Sequence, residues 1–149
     1  MDGQCRCGRV KIRIGGPALL TMACHCRGCQ RMTASAFSLT VAVPTPGFQV
    51  VEGETVPGGL HGASRHEHCA HCMSWVFSRL DGMDHFVNVR TTMLDDPEAY
   101  PPFIDTMASE KLSWVTTPAR HSYPEFPPID AFGDLIAEYA RSQPGASSE

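Results

Sequence analysis

Residues 9–14 read Arg-Val-Lys-Ile-Arg-Ile, with charged and apolar side chains in strict alternation. A strand turns successive side chains to opposite faces, so this run predicts a strand with one buried and one solvated face. Gly15, Gly16 and Pro17 end it. Residues 38–43 alternate again, and the stretch from Pro44 to Gly47 breaks the run. Residues 48–51, 75–78 and 86–89 are further short apolar-rich runs, with a turn expected at Asp81-Gly82 between the last two. Short strands punctuated by glycine and proline predict a mainly β chain, antiparallel and sandwich-like or barrel-like.

Helical periodicity is scarce. A short helix is expected after Cys29, through Gln30, Arg31 and Met32. Near the end, Ala131, Leu135, Ile136 and Tyr139 share one face at helical spacing, which predicts a short C-terminal helix with Asp130 as its N-cap. Residues 142–149 are rich in Ser, Gly and Pro and are expected to be a disordered tail. The organisation expected is one domain over residues 1–141, followed by that tail.

Composition narrows the class. The chain has 149 residues, 42% of them hydrophobic, which is enough for a real core and too many for a disordered chain. No run approaches the roughly 18 apolar residues of a membrane helix, and the opening residues lack the apolar stretch of a secretion signal. The expectation is a soluble cytoplasmic protein with no membrane partner. A net charge of -4 argues against nucleic acid as a partner. Residues 1–50 nevertheless carry Arg6, Arg9, Lys11, Arg13, Arg27 and Arg31 against one acid, Asp2. That half could attract a small anion, or simply present solvated strand faces.

The cysteines change the picture most. They are Cys5 and Cys7, then Cys24, Cys26 and Cys29, then Cys69 and Cys72. In a reducing compartment such spacings indicate metal ligands rather than disulfides, and an odd number leaves one thiol over in any all-disulfide scheme. Residues i and i+2 of an extended segment point to one side, so Cys5/Cys7 and Cys24/Cys26 can each face one ion. A Cys-x-x-Cys turn achieves the same at Cys26/Cys29 and Cys69/Cys72. Zinc takes four tetrahedral ligands of this soft type, and two zinc ions per chain are expected. Seven thiols divide most simply into a closed structural site of Cys5, Cys7, Cys69 and Cys72 and a three-thiol site of Cys24, Cys26 and Cys29. The vacancy on the second ion is the mark of a catalytic zinc. Two alternatives stay open. His25, His66, His68, His71 or His121 could fill the vacancy, or Cys24 and Cys26 could join Cys69 and Cys72.

The residues Gly3-Gln4-Cys5-Arg6-Cys7-Gly8-Arg9-Val10, the run from Cys24-His25-Cys26-Arg27-Gly28-Cys29 to Phe37, and Cys69-Ala70-His71-Cys72 resemble the glutathione-dependent formaldehyde-activating enzyme family, also called the CENP-V/GFA domain. Lys111-Leu112-Ser113-Trp114 is similar to a Lys-x-Pro-Trp segment late in that family. The resemblance implies a β-tent around zinc, with the same division into structural and catalytic cysteines. It also implies a carbon-sulfur lyase type of activity that joins formaldehyde to the thiol of glutathione as S-hydroxymethylglutathione. The partners expected are therefore a small thiol such as glutathione and a small aldehyde.

Arg27 and Arg31 are candidates to hold a substrate carboxylate, because arginine offers a bidentate fork. Ser35 is a candidate hydrogen-bond donor in the pocket. His25 could relay a proton, although a structural place behind the ligands suits it better. Phe37 and Trp114 are expected in the core. Four positions depart from the family pattern: Ala34 and Met73 replace glycines, His68 replaces an aromatic, and Asp105 replaces a histidine. Asp105 and Ala34 are expected to alter the substrate pocket. Two other classes fit the same cysteines: a zinc-stabilised binding module without catalysis, and a redox switch of Cys24, Cys26 and Cys29.

Overall fold

The computed structural model of the chain describes residues 1–59 and 62–143. The alternating run forms β2 (Lys11–Ile14), which pairs antiparallel with β1 (Asp2–Gln4) and β5 (Phe48–Glu52) in a three-stranded sheet. Val10, Ile12 and Ile14 point inward and are buried, while Lys11 and Arg13 face water. Two of the six basic groups of this half are paired on the surface: Lys11 with Glu52 at 2.6 Å and Arg13 with Asp2 at 2.8 Å.

The second sheet has eight strands. The chain supplies β3 (Leu20–Cys24), β4 (Ser38–Pro44), β6 (Thr55–Gly58), β7 (Ser64–Cys69), β8 (Trp75–Leu80), β9 (Phe86–Arg90), β10 (Ile104–Thr106) and β11 (His121–Ser122). Their order across the sheet is β11-β10-β3-β4-β9-β8-β7-β6. The sheet is open at β11 and β6, so the described residues form no closed barrel. Most pairings are antiparallel, as the pattern predicts. The ladders of β10 with β3 and with β11 are parallel, which it does not.

The main core lies between the two sheets. Ile12, Ile14, Val41, Val43, Phe48, Val76, Phe77, Val87 and Val89 pack together there. Each such side chain, fully buried, contributes roughly 1.5–3 kcal/mol. Gly3 lets the two layers meet: it bridges to Leu94, and a Cβ on it would run into the Met93 carbonyl.

Two helices complete the fold. The first, α1 (Arg27–Thr33), begins before Cys29 rather than after it. Cys26 is its N-cap and accepts from the Cys29 amide. It ends at Ala34, held left-handed at φ 49°. Ala34 is exposed and lies at this helix end, so its departure from glycine acts on backbone conformation rather than on a pocket. The second, α2 (Phe132–Ser142), buries Leu135 and Tyr139 against Leu20, Phe103 and Ile104. Ala131, not Asp130, occupies its N-cap position, and no side chain caps it. Of the tail expected at 142–149, Ser142 closes α2, its hydroxyl donating to the Tyr139 carbonyl at 2.7 Å. Residues 144–149 lie outside the described residues. Trp114 is 74% exposed, contrary to the core position expected for it. The segment around it is loop and turn, with no sheet or helix to cover the ring.

A non-glycine residue in the left-handed region costs about 1–2 kcal/mol. Replacing Ala34 by Gly should therefore raise stability by about 1 kcal/mol, after the added freedom of the unfolded chain is subtracted. Urea denaturation of the metal-loaded protein measures this. An unchanged or lower midpoint would mean that α1 does not depend on that end.

Candidate metal centres and the adjoining cleft

Cys5 and Cys7 lie between β1 and β2, Cys69 ends β7, and Cys72 lies in the turn before β8. Their four sulfurs all fall within 4.8 Å of one another. Cys5 and Cys7 are 3.5 Å apart, and Cys7 and Cys69 3.8 Å. The edge of a tetrahedron with zinc-sulfur bonds of about 2.3 Å is about 3.8 Å. Backbone amides point at the sulfurs, from Val10 to Cys5 at 3.3 Å and from Cys72 to Cys69 at 3.5 Å. Such donors favour the thiolate, the form that binds metal. Burial opposes ionisation of Cys72, but the Ser74 hydroxyl and amide outweigh it and hold that thiol at about 5.

The turn from Cys69 to Cys72 closes with Met73 at φ 57°, its amide donating to the Cys69 carbonyl at 3.0 Å. Here the left-handed conformation favoured by glycine is imposed on methionine.

The second cluster is local. Cys24 ends β3, Cys26 caps α1, and Cys29 sits in the first turn of that helix. Their sulfurs also lie within 4.8 Å of one another. A hydrogen bond from Cys29 pulls Cys24 down to about 5, and the same contact pushes Cys29 strongly up. The contact thus favours a thiolate on Cys24, the form that binds metal. Both donor sets, soft sulfurs at tetrahedral spacing with amides aimed at them, could hold a metal ion and suit zinc.

The thiols gather as four and three. The exchange of Cys24 and Cys26 with Cys69 and Cys72 does not occur. Among the described residues no histidine nitrogen joins the group of three. His66 contacts Ser78 at 2.8 Å, His68 stacks on Trp75, His121 contacts Glu138 at 2.9 Å, and His71 is exposed in the Cys69–Cys72 turn.

His25 is fully buried, with Nε2 3.0 Å from Asp105 Oδ1. Asp105 also accepts from Lys111 Nζ and from the Thr117 hydroxyl, each at 2.8 Å. Burial alone would raise the Asp105 carboxyl, but Lys111, His25 and Thr117 hold it below the usual range. Gln30 adds a bond from Nε2 to the His25 carbonyl at 2.7 Å. His25 and Asp105 therefore form a support behind the three-thiol loop. Asp105 does not line the adjoining cleft, the pocket it was expected to reshape.

Next to the loop that carries the cluster is a cleft of about 570 Å³, lined by none of the three cysteines themselves and within the range of small-molecule sites. Ser38 pairs with Cys24 across the ladder, sits beside the Cys29 thiol and lines this cleft with Phe37, Leu39, Trp75 and Met73. Phe37 is only half-buried and forms wall rather than core. Ser35 lines it too. Arg27 and Arg31 do not. The Arg27 guanidinium donates instead to Gln30 at 2.6 Å.

The cation in the cleft is Arg90, at the end of β9. Its Cζ lies 4.0 Å from the Trp75 ring centroid. Burial pushes its guanidinium down to about 10, while Cys29 and Cys24 pull it up, so it stays charged at neutral pH. Nothing in the cysteine motifs points to Arg90. The available signal is a charged residue directly continuing the apolar run of 86–89. A second cleft of about 430 Å³, lined by Phe103, Arg120 and Tyr139, lies among the residues packed around α2.

The glutathione-dependent formaldehyde-activating enzyme family model matches residues 1–110. A solved crystal structure of a Rhodobacter sphaeroides protein matches with a TM-score of 0.53 and 20% identity, over 64% of this chain and 88% of that one. That likeness concerns the fold alone. No curated protein sequence matches the chain significantly.

Replacing Asp105 by Asn leaves Lys111 and His25 without their buried anion. The expected loss is about 3 kcal/mol, read by urea denaturation with metal in excess. A midpoint like that of the parent protein would show that His25 stands without Asp105.

Proposed function

From membership of the glutathione-dependent formaldehyde-activating enzyme family, to which this chain belongs, we propose that it is a zinc enzyme making or breaking the carbon-sulfur bond of a thiol-aldehyde adduct. The observation that carries this reading is a cleft that reaches, through Ser38, the group of three thiols Cys24, Cys26 and Cys29, to which no described histidine adds a fourth ligand. Cys5, Cys7, Cys69 and Cys72 would hold a structural zinc, and Cys24, Cys26 and Cys29 the catalytic one. When bound there, zinc supplies a soft position that favours the thiolate of an incoming thiol at neutral pH.

The chain's own residues do the rest. His25 and Gln30 fix the loop that carries the three ligands. The apolar walls, Phe37, Leu39 and Trp75, limit water around the reacting atoms. Ser35 supplies a hydroxyl in the cleft for the aldehyde oxygen. In the forward direction the thiol sulfur bonds to the carbonyl carbon, the carbon-oxygen double bond becomes single, and the thiol proton ends on that oxygen. No oxidation is involved, and the reverse step releases thiol and aldehyde.

The test is exchange between formaldehyde, glutathione and their adduct, followed by NMR with the zinc-loaded protein. We expect acceleration by the parent protein, with two zinc ions per chain. The Cys26→Ala variant should lose the acceleration while keeping the structural ion. Two ions and no acceleration would reject formaldehyde activation and favour a zinc-stabilised binding module.

A further inference from the structure

We propose that Arg90 is the specificity-determining residue of the cleft, pairing with a carboxylate of the substrate thiol. This deepens the function proposed above and rests on it.

Arg90 is 7% exposed, yet no carboxylate of a described residue lies within 4 Å of it. Its Nε is buried without a partner. An unpaired buried charge is costly, and a protein keeps one where something bound offsets it. The surroundings hold the guanidinium in place. The Trp75 ring lies against it at 4.0 Å, Trp75 Nε1 donates to Ser78 Oγ at 2.9 Å, and Ser78 Oγ contacts His66 Nδ1 at 2.8 Å. A planar cation fixed in this way is ready to meet a carboxylate without further ordering.

The cleft's charge points the same way. Among the described residues Arg90 is the only formally charged one lining it; the others are apolar or hydroxyl-bearing. The same cleft reaches Ser38, beside Cys29. A thiol whose sulfur approaches the three-cysteine group can therefore place an anionic end on Arg90. Arg27 and Arg31, the candidates from sequence, do not line the cleft and leave this role open.

The test compares 3-mercaptopropionate with 2-mercaptoethanol on the zinc-loaded full chain. Calorimetry reads binding, and NMR reads exchange with formaldehyde. A charge-assisted pair is worth about tenfold or more. We expect 3-mercaptopropionate to bind at least that much more tightly than 2-mercaptoethanol. Arg90→Met should remove the difference, and Arg90→Lys should retain part of it, with zinc content checked in each. Equal binding of the two thiols by the parent protein overturns the proposal, even if Arg90→Met does not fold. So does an Arg90→Met variant that weakens both thiols alike, because Arg90 would then only balance the cysteine charge. If neither thiol binds, the thiol reading of the site fails, and this proposal falls with it.

Discussion

The structure depends first on bringing Cys7 to Cys69 across 62 residues of chain. Closing a loop of that length costs entropy, and crowding four sulfurs within 4.8 Å adds repulsion between thiolates. A soft cation at the centre would reverse the second cost and offset the first. The rest of the frame follows from that clip. It fixes the small sheet to the β7–β8 hairpin and so sets the gap in which the valine and phenylalanine core packs. The adjacent Ser74 and Met73 belong at once to this clip and to the wall of the cleft.

The three-thiol group is built on the opposite principle. Its ligands are close in sequence, so little loop entropy is involved. Position comes instead from the end of β3, the start of α1 and the buried His25-Asp105-Lys111 support. One cluster thus joins segments far apart in sequence, and the other lies on a local loop beside a cleft. The cysteine motifs reach both, whereas Asp105 and Arg90 belong to the scaffold around them.

Legibility in the sequence followed the same physics. Strands with one wet face announce themselves, as residues 9–14 do; residues 38–43 alternate in sequence too, yet β4 is buried on both faces between β3 and β9. β3 is buried on both sides over most of its length and has no alternation to read. β7, Ser-Arg-His-Glu-His-Cys, is polar and holds its place by pairing with β6 and β8. The short parallel pairing of β10 depends on contacts with residues about eighty positions earlier, which no local pattern encodes. In the site, the cysteines were legible because metal geometry imposes short spacings. Arg27 and Arg31 were attractive because they flank those cysteines. Arg90 is distant in sequence and reaches the cleft only through the register of Thr40 with Arg90 across β4 and β9.

The most direct measurement is zinc X-ray absorption on the fully loaded protein, before and after adding a thiol. Seven sulfurs shared by a closed and an open site predict an average of about 3.5 sulfurs per ion, rising to about 4 when thiol is added. An average of about 4 at the outset, or one that a thiol does not change, would contradict an open three-thiolate centre.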